Sequence, residues 1–131
     1  MSEIIGQYLL GEVLGGGGMA TVYRAEHRAG IGMRAAVKKL HPHLAADPSL
    51  RARLKVEAAA LARLEHPNIV RLLDYVDEAG HCALVTELVL GKTLRRVLEN
   101  DGERPIPWEE SVGLFRQMLA GVGHAHAHRC L

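Results

Sequence analysis

The chain of 131 residues predicts an α+β fold: five strands with one helix inserted among them, then helices alone. Three observations carry that expectation. Up to about Leu40 the apolar runs are short, aliphatic or β-branched, and separated by glycines, which is the texture of strands. Between Asp47 and Leu64 the apolar residues move to helical spacing. After Gly91 strand-like runs stop and helical patterns take over.

Each element has its own signal. Tyr8 to Leu14 (YLLGEVL) is the first strand, Thr21 to His27 the second and Met33 to Leu40 the third, with Arg28–Gly32 as the turn between the last two. Asp47-Pro48 starts a helix, Asp as its N-cap and Pro at its first position. Leu50, Leu54, Ala58, Leu61 and Leu64 continue it, and His66-Pro67-Asn68 stops it. Ile69–Val76 and Cys82–Glu87 read as two further strands around a polar turn at Asp77–Gly80. A short helix begins near Thr93, the connection Glu103–Pro107 follows, and a long helix runs from Trp108 to His128. Val112, Phe115, Leu119 and Val122 form one apolar stripe on it, and Leu114, Met118 and Gly121 a second beside it. A helix apolar on two sides belongs at the centre of a layer.

Composition narrows the function classes. Sixteen basic residues against fifteen acidic leave a net charge of +1, so no bulk field draws nucleic acid or a membrane surface. The first ten residues lack the basic start and apolar run of a signal peptide, and no apolar run is long enough to span a membrane. Cys82 and Cys130 are far apart and make no disulfide framework, so a reduced, cytoplasmic protein is expected.

Four consecutive glycines, Gly15 to Gly18, follow the first strand. A β-forming run, Thr21-Val22-Tyr23, comes after them, where a dinucleotide-binding turn needs a helix. No Gly-Lys-Ser/Thr follows either, which excludes a Walker A loop. A glycine-rich hairpin tip remains. Such a tip can bring backbone N–H groups close to an oxyanion such as triphosphate, or can be an ordinary flexible hairpin. Two charges bear on the choice. Glu57 falls inside the apolar stripe of the Asp47–Leu64 helix, where an unpaired carboxylate costs several kcal/mol, so a cationic partner is expected. On the third strand Ala36 and Lys38 share one face, and Ala35, Val37 and Lys39 the other. Lys38 suits the role, and an ammonium held by a carboxylate beneath a glycine hairpin is a phosphate clamp. The alternative is two solvated charges on separate faces.

These residues together resemble the protein kinase family. Leu14-Gly15-Gly16-Gly17-Gly18-Met19-Ala20-Thr21-Val22 is similar to its glycine-rich loop, in the form typical of bacterial Ser/Thr kinases. Ala35-Ala36-Val37-Lys38 resembles its V-A-I-K strand, and Glu57 falls where its helix glutamate belongs. His66-Pro67-Asn68-Ile69-Val70 and Leu84-Val85-Thr86-Glu87 match the link into the fourth strand and the strand entering the hinge. The likeness runs from residue 8 to 131, with Ala20 standing where the family has a third glycine. It implies a five-stranded antiparallel sheet plus one helix over residues 1–90, carrying the ATP-binding loop, and the first two helices of a second lobe over 91–131.

The resemblance also implies roles. Gly15, Gly16, Gly17, Gly18, Met19 and Ala20 would cover the phosphates of ATP, with Lys38 on the α- and β-phosphates and Glu57 orienting it. Leu14, Val22 and Ala36 would roof the adenine, Leu94 would support it from below, and backbone groups of Glu87 and Val89 would bond its edge. Thr86 would be the gatekeeper, and Leu61 and Leu72 the upper members of a hydrophobic spine. Protein substrate and magnesium are the implied partner and cofactor. Ala125-His126 matches the pair that precedes the family's H-R-D segment, and that segment would open just past Leu131. These 131 residues contain neither the acceptor-orienting Asp nor the metal-holding Asn and Asp. They are expected to be inactive alone, to bind nucleotide weakly, and either to dimerise through residues 108–128 or to be poorly soluble. A kinase-like module that binds nucleotide or a partner without chemistry is the alternative.

Other features read blandly. His124, His126 and His128 carry no metal-site pattern with a carboxylate or thiol, and His41 and His43 beside Pro42 read as solvated. Cys82 alternates in phase with Leu84 and Thr86 and is expected to pack as a small hydrophobe; Arg95 and Arg96 read as a polar face.

Overall fold

The computed structural model of the chain describes residues 2–78, 80–100 and 105–130. In chain order the elements are β1 (Ile4–Ile5), β2 (Tyr8–Gly16), β3 (Ala20–His27), β4 (Arg34–Leu40), α1 (Pro42–Ala45), α2 (Pro48–Ala62), β5 (Leu72–Glu78), β6 (His81–Glu87), α3 (Leu94–Asn100) and α4 (Trp108–Ala127). The strands form one antiparallel sheet in the order β1-β2-β3-β4-β6-β5. The inserted helices let the chain pass over the place that β6 later fills.

Local chemistry explains the punctuation. Gly30 and Gly32 take φ of 68° and 78° in the turn between β3 and β4, a region that residues with a Cβ avoid. The Asp47 carboxylate accepts from the Ser49 N–H at 2.9 Å and caps α2, and that bond holds its pKa below the ordinary value. Alternation along β4 then divides the core. Ala35 and Val37 join Ile5, Tyr8, Leu10, Ala25, Val76, Ala83 and Val85 on one side of the sheet. Leu40 joins Ala20, Ala45, Leu54, Ala58, Cys82 and Leu84 on the other, where α2 packs. Cys82 is fully buried, its sulfur 3.5 Å from the Tyr75 hydroxyl, and desolvation first, then that contact, pushes the Tyr75 phenol up to about 12.

The expected elements need four adjustments. A sixth strand, β1, edges the sheet; two residues are too few to show alternation, and the pairing of Ile5 with Tyr8 and its complete burial hold it. Helix α1 is a single turn, shorter than any periodic pattern. The strand expected at Ile69–Val76 begins only at Leu72, because Ile69 N–H closes a turn onto the His66 carbonyl at 3.1 Å, and it runs on through Asp77 and Glu78, expected in the turn, which pair with Cys82 and His81. Helix α2 ends at Ala62 and not at Leu64. Ala79, in the turn between β5 and β6, Glu103 and Arg104, in the connection before α4, and Leu131 lie outside the described residues.

Helix α4 touches the rest along one edge. Gly121 and Ala125 are buried there, and the Asn68 side-chain amide donates to the Gln117 carbonyl at 3.1 Å. A Cβ on Gly121 would stand 3.2 Å from the Asn68 carbonyl, so the close approach depends on glycine. The first apolar stripe faces the other way, with Phe115, Leu119 and Val122 exposed.

Candidate functional site

The glycines close the β2–β3 hairpin. Gly15 pairs with Val22 and Gly16 with Thr21, leaving Gly17, Gly18 and Met19 at the tip. A Cβ on Gly16 would stand 3.2 Å from the Ala20 carbonyl oxygen, a tight contact that its neighbour would have to yield to. Around Gly15, Gly17 and Gly18 a Cβ would meet nothing within 4 Å. Apart from the exposed Met19 side chain, the tip is bare backbone with open space beside its glycines. Gly17 N–H donates to the Ala20 carbonyl at 2.9 Å, so that N–H is engaged within the turn.

Strand register carries the hairpin to the charges. Gly15 pairs with Val22, Val22 with Lys38, and Lys38 with Leu84, in one row across β2, β3, β4 and β6. Lys38 Nζ donates to both carboxylate oxygens of Glu57, at 3.1 and 3.2 Å. The two residues are brought together from β4 and α2. Their burial differs from expectation: the side chains are 40 % and 45 % exposed, because Leu54 and Ala58 carry the buried face of α2 while Glu57 sits at its open margin. An ion pair so exposed adds at most about 1 kcal/mol to stability. Its ammonium stays accessible to a ligand.

Farther along the sheet Ala36 pairs with Thr86, and the Thr86 hydroxyl donates to the Glu87 carbonyl at 3.2 Å. Glu87 N–H donates to the Arg71 carbonyl at 3.0 Å, and its carboxylate accepts from Arg71 N–H at 2.9 Å. The carbonyl is therefore the backbone group of Glu87 left to offer a ligand, and Thr86 shares it. Leu14, Met19, Val89 and Leu94 are exposed, Val22 and Ala36 half-buried, and Ala20 buried. Gly91 turns the chain with φ of 129°. Leu61 and Leu72 both pack against the core on the α2 side of the sheet.

Two groups escape the sequence reading. His41 is not simply solvated: its ring Nε2 donates to the Gly17 carbonyl at 3.0 Å. The only local hint is Pro42, which fixes the backbone before it. At the far end of α4, His124 stacks against His66 and His128 with ring centroids 5.0 and 4.2 Å apart. Its Nε2 is buried without a hydrogen-bond partner, and desolvation first, then His128 and His66, holds its pKa below the ordinary imidazole value.

Residues 8–131 match the family described as protein kinase domain. A probable serine/threonine-protein kinase of Streptomyces coelicolor, SCO3848, is 41 % identical over 125 residues, covering 92 % of this chain and 18 % of the relative. Serine/threonine-protein kinase PrkC of Bacillus subtilis is 34 % identical over 127 residues, covering 97 % of this chain and 19 % of its own length. The solved kinase domain of PknI from Mycobacterium tuberculosis superposes with a TM-score of 0.79 at 25 % identity, covering 97 % of this chain and 50 % of that one. The chain thus spans less than a fifth of these two relatives and half of that solved domain.

Proposed function

Because the chain belongs to the protein kinase family, we propose that residues 8–131 build the ATP-binding side of a Ser/Thr protein kinase domain. The observation that carries the reading is the Lys38–Glu57 pair, in strand register with the glycine hairpin and open to solvent. A carboxylate that holds the ammonium by both oxygens keeps it aimed without burying it, which suits contact with the α- and β-phosphates. The bare backbone at Gly17 and Gly18 fits beside phosphate oxygens, where a side chain would intrude. Gly15 to Ala20 would cover the phosphates, with Gly17 contributing shape more than its engaged N–H. Leu14, Val22 and Ala36 would roof the adenine, Leu94 would lie beneath it, and Thr86 would close the back. The Glu87 carbonyl and Val89 backbone would meet the adenine edge. Leu61 and Leu72 would be the upper members of the hydrophobic spine.

In this reading residues 1–90 are the nucleotide lobe, and 91–131 begin the helical lobe that receives a protein substrate. Magnesium supplies charge neutralisation to phosphoryl transfer in the family. The Asn and Asp that hold magnesium in the family have no counterpart motif among these residues. The 131 residues alone would bind ATP weakly and transfer no phosphate, since the acceptor-orienting Asp is not among them. A cytoplasmic setting is part of the same proposal; no helix among the described residues is long and apolar enough to cross a membrane. Incubation with labelled ATP, magnesium and a generic acceptor protein, beside calorimetric titration, tests it. Weak ATP binding that Lys38→Met abolishes, without phosphate transfer, is the expected result. Transfer that Lys38→Met abolishes would overturn the inactivity, and no binding at all would overturn the nucleotide reading.

A further inference from the structure

We propose that His41 is a positioning residue for the phosphate loop, a latch that holds the glycine arch in its turn so that nucleotide meets it already shaped. The inference rests on the nucleotide reading above. Its basis is the way four hydrogen bonds converge on one rigid residue. The His41 backbone N–H donates to the Met19 carbonyl at 3.0 Å, and its ring Nε2 donates to the Gly17 carbonyl at 3.0 Å. The His41 carbonyl in turn accepts from Leu44 and Ala45 N–H, both at 2.9 Å, as the start of α1. Ala45 is buried in the core against Leu54 and Ala58, so α1 is anchored. Pro42 confines the preceding residue to extended backbone, and His41 has ψ of 141°.

The ring therefore stands on a fixed post, while the arch it holds is two glycines and Met19, whose side chain is exposed. Glycine carries the largest conformational freedom of any residue, so an unlatched arch would lose more entropy on closing over phosphate. The ring's hydrogen bond goes to the arch, while its face stacks on the His43 ring with centroids 5.9 Å apart, so losing that bond acts at the phosphate end of the ligand. Affinity for adenosine, which has no phosphates, should not sense it.

Two readouts on the full chain test this, with His41→Ala and His41→Gln as variants. Both keep Pro42 and the backbone bonds, and Gln puts an amide N–H at about the reach of Nε2. Amide exchange at Gly17, whose N–H closes the turn, should quicken about fivefold in His41→Ala and return in His41→Gln. ATP affinity should weaken by about the same factor in His41→Ala and recover in His41→Gln, with adenosine affinity unchanged in both. Unchanged Gly17 exchange, or equal loss of ATP and adenosine affinity, would overturn the latch. Should the wild-type chain bind neither compound, the nucleotide reading and the loop's role in binding fall together. The exchange rates would then still decide whether His41 holds the arch.

Discussion

Adjacent lysines on β4 illustrate how much one residue's surroundings decide. Lys38 is half-exposed and paired with Glu57, whereas Lys39, on the opposite face, is 7 % exposed and donates to Glu3 at 2.5 Å. Alternation in the sequence assigns the faces. It cannot say which lysine is buried, because Glu3 arrives from a segment that folds back from 36 positions earlier. The same holds for His41, whose partner Gly17 lies 24 positions away. Two predictions belong to this scale. Glu3→Ala leaves a buried ammonium without its partner and should cost about 1–3 kcal/mol in thermal or denaturant unfolding, while Lys39→Met should be close to neutral. Lys38→Met should change stability by less than about 1 kcal/mol, because its pair is open to water.

Long elements with caps or sustained periodicity, such as α2 and α4, were legible, and their bounds agree with expectation to within two residues. Short pieces held by distant partners were not: β1 depends on Tyr8 and Leu9, and α1 on burying Ala45. Ile69 looked like strand because it is β-branched, yet it lies beside Gly121 of α4. That contact predicts that Gly121→Val drives α4 off the Asn68 carbonyl and speeds amide exchange along residues 117–127. Acid should act on the same junction. The His124 pKa is depressed in the folded chain, so the folded state prefers the neutral ring. Its contribution is present above the unfolded value of 6.5 and is lost as pH falls through the lower, folded value. Protection factors at 121–127, taken relative to the intrinsic exchange rate at each pH, should therefore fall as pH drops from 6.5 through that lower value, and His124→Leu should flatten the response.

For the molecule as a whole, the exposed apolar face of α4 sets the expected behaviour. Trp108, Phe115, Leu119 and Val122 are 77 %, 62 %, 57 % and 44 % exposed. Covering each such side chain is worth about 1.5–3 kcal/mol, so the chain studied alone should self-associate through residues 108–128. Light scattering should rise with concentration and fall back in the Phe115→Glu, Leu119→Glu double variant; a wild-type monomer at every concentration would refute this. The sheet, the inserted helix and the Lys38–Glu57 pairing could all be anticipated from spacing and residue type. The openness of that pair could not, since it depends on how α2 is rolled over the sheet. The central claim is that nucleotide lies under the glycine hairpin against Lys38. Amide chemical-shift mapping during an ATP titration tests it most directly. The account predicts shifts at Gly18, Met19, Lys38 and Val89, with those at Gly18 and Met19 lost in Lys38→Met. Shifts confined to other surfaces, or unchanged by Lys38→Met, would contradict it.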